Sequence, residues 1–195
     1  MNHCAGCSER DQLRAIRFSV MVDTQTATRA AEFYKCYMLC AARIIKNAGG
    51  SIPAYDGDRI MGVFVGDDRS DLAARTALQI KWAVYHSVNI LVKNQYGQDA
   101  YQVKHVVGVG TSSIFACRIG VRNDNDLVWV GRAANYAAKP SSVPEDNTVF
   151  ITGEVFDQLK TYNYGGNPKK LMWEARTWVK MPGLRIYRST WTWGI

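Results

Sequence analysis

Gly49-Gly50-Ser51-Ile52-Pro53-Ala54-Tyr55-Asp56-Gly57-Asp58-Arg59-Ile60-Met61-Gly62-Val63-Phe64 is the stretch on which the fold turns. Ser51 to Tyr55 and Arg59 to Val65 are short apolar runs, and Asp56-Gly57 between them has the φ tolerance that a tight hairpin turn demands. Two antiparallel strands follow from this, with Asp58 at the tip. Immediately upstream, Thr28 to Ala48 carries Ala30, Phe33, Tyr34, Tyr37, Ala41, Ile44, Ile45 and Ala48 at the spacing of one helix face, and Gly49-Gly50 provides the stop. Before that helix, Ala15 to Val22 reads as a buried strand rich in apolar and β-branched residues, ending at Asp23. Residues 1 to 14 read as a polar N-terminal arm, and residues 15 to 195 as one domain.

Downstream, Ser70 is placed to cap a second long helix whose face runs through Ala73, Ala77, Ile80, Val84, Val88 and Leu91 until the break at Asn94 to Gly97. The period then shortens: Val103 to Val109 and Ser113 to Val121 read as strands, Arg122 to Asp126 as a polar turn, and Leu127 to Val130 as the returning strand. Arg132 to Ala138 is a short helix cut by Pro140, and Asn147 to Leu159 is a strand followed by a helical turn. Leu171 to Val179 and Leu184 to Thr192 close as an antiparallel pair. The order implies an α+β sandwich, an antiparallel-rich sheet with helices on one face.

The chain has 195 residues, 47% hydrophobic and 21% charged, which excludes a disordered or collagen-like class. Its apolar runs fall far short of the ~20 residues of a membrane span, and the N-terminus has no apolar signal segment. A cytoplasmic protein with no membrane partner is the expectation. The net charge of +7 favours an anionic partner, a nucleotide or a nucleic acid. Five cysteines suit reduced thiols; Cys4 and Cys7 form one Cys-x-x-Cys without the second pair that zinc needs, and are read as part of the arm. His86 and His105 have no second ligand at metal spacing, and Tyr34 and Tyr37 are most simply core. Trp173, Trp178, Trp191 and Trp193 could stack bases, which makes an RNA-binding module the rival reading. That rival leaves two aspartates unexplained.

Those aspartates are Asp23, directly after a strand, and Asp58, at the hairpin tip. Alone, each would be a turn residue or a helix cap. Converging, two carboxylates supply what Mg2+ or Mn2+ takes when the remaining ligands are substrate phosphates. The run Thr24-Gln25-Thr26-Ala27-Thr28 leads into a helix N-terminus, where backbone N–H groups can cradle a phosphate, so Gln25 and Thr26 are candidate substrate contacts.

Phe18 to Thr28, Gly49 to Phe64 and Val107 to Asn135 together resemble, in order and spacing, the catalytic domain of class III nucleotide cyclases. The most telling part is Gly-Gly, a short strand and turn, then Asp-x-x-Met-x-x-Phe. The resemblance implies a ferredoxin-like core, a head-to-tail homodimer with shared active sites, and two metal ions per site. It also implies conversion of a nucleoside triphosphate to a 3′,5′-cyclic monophosphate with loss of pyrophosphate. By position, Asp23 and Asp58 match the family's metal ligands and Asn135 its ribose-orienting asparagine. Lys139 stands where the family has a transition-state arginine, a point charge in place of a planar fork. Arg122 matches a phosphate-clamping arginine. A catalytically inactive nucleotide-binding domain is the remaining alternative within this fold.

Base choice departs from the purine cyclases. The positions that read adenine hold Ala54 and Val128, neither able to hydrogen-bond a base edge, and the guanine-reading Glu is missing. Tyr55 narrows the pocket, and strand alternation puts Arg118 on the face of Arg122, where it can donate to pyrimidine carbonyls. UTP is expected ahead of CTP, although a two-residue slip in the hairpin would bring Asp126 to the base and favour cytosine. The chain looks like the pyrimidine cyclases of bacterial Pycsar anti-phage systems. That likeness implies a separate effector activated by the cyclic nucleotide, with cytidylate or adenylate cyclase as the alternatives.

Overall fold

Helix α1 (Ala27–Asn47) buries Ala30, Phe33, Tyr37, Ala41, Ile44 and Ile45, the stripe its spacing predicts. Thr26 caps it, its Oγ1 accepting from the Arg29 N–H at 3.4 Å. Gly49, at φ +81°, carries the chain out of the helix in a conformation only glycine adopts cheaply. The hairpin follows as β2 (Ser51–Asp56) and β3 (Arg59–Phe64) around Gly57, at φ +55°. The computed structural model describes residues 8–15, 24–121, 124–138, 147–160, 172–178 and 183–195.

Helix α2 (Arg69–Ala83) comes next, then a π-helical turn (Val84–Val88) and α3 (Asn89–Tyr96). The sequence predicts one uninterrupted helix here; the apolar period carries through because a single π turn offsets the face without ending the rod. Asp68, not Ser70, occupies the N-cap position, without a side-chain cap bond, and the Ser70 hydroxyl donates instead to Gln158 Oε1 at 2.6 Å.

Strand β4 (Val106–Val121) is one strand of 16 residues, where two were expected. It also starts later than Val103, because the Asn89 side chain takes both backbone groups of Val103, with Oδ1 accepting at 2.7 Å and Nδ2 donating at 3.3 Å. Strand β5 (Asp124–Val130) begins three residues before the expected Leu127, so the anticipated turn over Arg122–Asp126 is shorter. Helix α4 (Arg132–Ala138), β6 (Thr148–Thr152), α5 (Gly153–Gln158), β7 (Glu174–Thr177) and β8 (Arg185–Ser189) agree with the expected elements.

The remaining strand, β1 (Ser8–Ala15), lies in the stretch read as an arm. Main-chain pairing on both edges, to β3 and β4, holds a strand whatever its side-chain pattern. Of the anticipated strand Ala15–Val22, all but Ala15 lies outside the described residues. The sheet order is β2-β3-β1-β4-β6-β8-β7, with β5 paired to the far half of β4. Among the described pairings only β4 with β6 is parallel.

Val107, Val109, Val149 and Ile151 share the main core with α1 and α2. Gly110 faces the other way by alternation, and a Cβ there would meet the α4 backbone at Ala133 O, 3.1 Å away. Helices therefore cover both faces, not one; α4 is the exception because Gly110 leaves room for its backbone. The tryptophans do not form an open platform: Trp173 and Trp178 are buried, and Trp191 and Trp193 pack on the main core. His105 is buried beside Tyr37, and His86 sits between the rings of Trp82 and Tyr85. Among the described residues no helix is long and apolar enough to cross a membrane.

The C-terminal segment closes over α2: Trp193 N–H donates to Leu78 O at 3.2 Å, and Lys81 Nζ to Thr190 O at 2.5 Å. Burial pushes the Lys81 ammonium down to about 8 from its ordinary 10.5. Between those values the unfolded chain binds the additional proton, so stability rises with pH across that window. Lys81→Met should abolish this increment, on the order of 2 kcal/mol after discounting for solvent screening. Urea unfolding of both proteins at pH 7 and pH 10 measures it as the difference between their pH dependences.

Candidate active site

Asp58 lies in the turn directly before β3, its side chain 26% exposed and its carboxylate 3.5 Å from Arg59 Nε. The root of the hairpin is fixed by close packing on α1. A Cβ at Gly50 would lie 2.8 Å from both Ile45 Cγ2 and Phe64 Cζ, and one at Gly62 would lie 3.2 Å from Ile45 Cγ2. No larger residue fits at Gly50 without displacing the core, so the position of Asp58 is inherited from α1.

Tyr34, on the same helix, is electrostatically coupled to Asp58. Burial, the Asp58 carboxylate and Tyr101 together hold its phenol above its ordinary range, so it stays a neutral O–H. It is half-buried at the edge of the stripe rather than in the core that its place in the apolar period predicts. Tyr55, assigned to the base, is 60% exposed on β2 opposite Ile60, and Ala54 pairs with Met61.

Ala15 at the end of β1 lies opposite Ile60, two residues from Asp58. Asp23 itself lies outside the described residues. The chain is described again from Thr24: Gln25 Nε2 donates to Thr24 O at 3.1 Å, and the Thr26 hydroxyl accepts the Arg29 N–H as a cap. The cap uses one lone pair of the Thr26 hydroxyl and leaves its O–H as a donor.

Helix α4 is seated by three contacts. A Cβ at Gly131 would lie 2.9 Å from Ser113 O, Ala133 N–H donates to Ser112 Oγ at 2.9 Å, and Gly110 admits the Ala133 carbonyl. Ala133 and Ala137 turn inward and are fully buried, leaving Asn135 exposed on the outer side of the helix. Lys139 lies outside the described residues.

Beyond Ile114, β4 and β5 leave the sheet as a two-stranded arm. Arg118 is exposed on it, opposite Leu127. Val128 pairs with Cys117 and Asp126 with Ile119, one pair nearer the tip than Arg118. Arg122 lies outside the described residues. Phe115, Ile119, Val121 and Val130 are 43%, 54%, 73% and 52% exposed, an apolar stripe on an arm already paired along its length.

Register fixes the spacing of these groups. Ile60, Ala15 and Val107 lie abreast, so Asp58 is at the end of the sheet where β4 begins. Arg118 is eleven residues further along the same strand, on the order of 30 Å at the usual strand rise. One chain holds Asp58 with Tyr55 and Tyr34 at one end, and Arg118 at the other. As metal ligands, Asp58 offers oxygen donors on a rigid, partly exposed turn, which fits a hard divalent cation. Among the described residues no group of three or more His, Cys, Asp or Glu is gathered for one, and Asp23, the other expected ligand, lies outside them.

An eight-stranded mixed sheet with α1 and α2 on one face and α4 on the other is the architecture of nucleotide cyclase catalytic domains. The chain superposes on the guanylyl cyclase Cya2 with a TM-score of 0.79 at 15% identity, covering 96% of this chain and 94% of that one. On the adenylyl cyclase CyaB from P. aeruginosa the TM-score is 0.75 at 17% identity, covering 93% of each. No protein-family model matches. Sequence similarity narrows the class: a uridylate cyclase of Xanthomonas perforans is 45% identical over 91% of this chain and 76% of its own length. A second, of Burkholderia cepacia, is 42% identical over 90% and 75%. The chain belongs to the uridylate cyclase family.

Gly110→Val should lift α4 from β4, because a side chain 3.1 Å from the Ala133 carbonyl meets backbone that cannot rotate away. Overpacking of this kind costs about 1–3 kcal/mol. The expected outcome is a lower urea midpoint together with a turnover loss of about tenfold or more as the helix carrying Asn135, an expected site residue, is displaced, read by cyclase assay on the folded protein.

Proposed function

We propose that the protein converts UTP to 3′,5′-cyclic UMP and pyrophosphate, at sites shared between two copies of the chain in a homodimer. The observation that carries the shared site is the separation of Asp58 from Arg118 within one chain. An antiparallel second copy would bring the arm of one chain to the hairpin of the other, and the exposed stripe of Phe115, Ile119, Val121 and Val130 offers apolar surface for that contact. Uracil as the base is supported by the names of the relatives and by Ala54 and Val128, which present no group to a purine edge. The Arg118 guanidinium and the Tyr55 hydroxyl donate to its O2 and O4.

In the reaction the ribose 3′-oxygen bonds to the α-phosphorus, the bond from that phosphorus to the bridging oxygen breaks, and pyrophosphate departs with its electron pair. The 3′-hydroxyl proton leaves to solvent. Asp58 and Asp23 are the assigned holders of Mg2+ or Mn2+, two ions per site; bound there, the metal supplies Lewis acidity toward the hydroxyl and the triphosphate. Asn135 orients the ribose, Lys139 offsets charge developing on the phosphates, and Arg122 with the α1 terminus at Gln25 and Thr26 steadies the triphosphate tail. In a cell the product would serve as a second messenger, made in the cytoplasm for a separate effector in anti-phage defence, as the resemblance to Pycsar cyclases implies.

Incubation with ATP, GTP, CTP or UTP and Mn2+, followed by mass identification of products, tests this. Cyclic UMP is the expected product. Cyclic CMP would move base reading to Asp126, and cyclic AMP would contradict the pyrimidine assignment. Asp58→Ala should lower UTP turnover by about a hundredfold or more while leaving the circular dichroism spectrum unchanged; parental turnover would remove Asp58 from the metal site.

A further inference from the structure

The Asp58 carboxylate has a cation beside it. Arg59, the first residue of β3, brings Nε to 3.5 Å from Asp58 Oδ1, the two side chains being 43% and 26% exposed. An ion pair this open to solvent adds little to stability. The hairpin is already fixed from below, by Ile45 against Gly50 and Gly62. The fold therefore does not need the pair, and its consequence falls on what else the carboxylate can hold. In the pattern Asp-x-x-Met-x-x-Phe, Arg59 stands at an open position to which no role is assigned.

The turn, rather than a flexible arm, places Arg59. It lies directly across the hairpin from Asp56, so the two residues share one face of the ribbon. The guanidinium thus has two carboxylates within the same hairpin, and Asp58 is the one assigned to a divalent cation. A carboxylate paired with a guanidinium is close to neutral as a ligand, and a metal on it would stand a few ångströms from a like charge. At such separations near a protein surface the repulsion exceeds thermal energy. Arginine keeps its charge at any working pH, so the repulsion does not titrate away. A triphosphate reverses the sign. Its oxygens accept from the planar donor fork of the guanidinium, and Asp56 offers a second resting place when metal occupies Asp58.

We propose that Arg59 is a positioning residue that keeps the affinity of Asp58 for a divalent cation low until the triphosphate arrives, so that metal and nucleotide bind together rather than metal first. This rests on the reading of Asp58 as a metal ligand.

Titration of the full chain with Mn2+, followed through the electron paramagnetic resonance signal of the free ion, tests the proposal without turnover. Arg59→Gln should tighten Mn2+ binding to the nucleotide-free chain about three- to tenfold. Arg59→Lys keeps the charge and should stay within about twofold of the parent. Raising KCl from about 0.05 M to about 1 M should erase most of the gain in Arg59→Gln, because a charge on this partly exposed hairpin is screened; a merely structural role would not respond to salt. With 3′-deoxy-UTP, which cannot cyclise, the gain should vanish or reverse. Equal Mn2+ affinity in the parent and Arg59→Gln, an equal gain with and without 3′-deoxy-UTP, or the same gain in Arg59→Lys would each overturn it. Asp58→Asn separates this proposal from the reading beneath it. If that variant weakens Mn2+ binding while Arg59→Gln changes nothing, only the role of Arg59 falls; Mn2+ binding indifferent to Asp58→Asn would remove the metal site and the proposal with it.

Discussion

Strand β4 sets the dimensions of everything else. Its first half is hydrogen-bonded to β1 on one edge and β6 on the other, and its second half is paired to β5. A 16-residue strand cannot be bent back on itself without breaking those ladders. The chemistry at the start of β4 and the chemistry on the arm are therefore kept apart by the stiffness of one element. Gly110 adds the second constraint, admitting α4 so closely that Ala133 and Ala137 face inward and Asn135 outward.

Helix α1 couples the parts that β4 separates from the arm. Ile45 lies beneath Gly50 and Gly62, Tyr34 is coupled to Asp58, and Thr26 caps the end proposed to meet phosphate. Its other end, from Cys36 to Ala48, walls a cavity on the helical side of the molecule. The burial of Phe33, Tyr37 and Ile45 that holds this helix in the core, about 1.5–3 kcal/mol for each large apolar side chain, thus also fixes the hairpin geometry.

Local signals carried the parts of the fold that local physics dictates. Helix α1, the β2–β3 hairpin, α4 and the closing strands were legible because apolar period and glycine turns decide them. What escaped was set by distant partners. Ser70 looks like a cap, but its hydroxyl finds Gln158 across the fold. Val103 looks like strand, but Asn89 claims its backbone. Ser8–Ala15 looks like an arm because its side chains carry no apolar alternation, whereas its pairing is main chain. In the candidate site, Asp58, Asn135, Tyr55 and Arg118 stand on exposed or partly exposed positions of the expected elements. Tyr34, read as core because it falls in the apolar period of α1, is instead half-buried and feels the Asp58 carboxylate.

The shared site is tested most directly by mixing Asp58→Ala and Asn135→Ala chains, each inactive alone, after exchange of subunits has been verified by mass-tagged copies. Each mixed dimer retains one site with both Asp58 and Asn135 intact, so UTP turnover should reappear at up to about a quarter of the parental rate, on statistical mixing of a twofold assembly. Verified exchange with no recovery of turnover would contradict a site built from two chains.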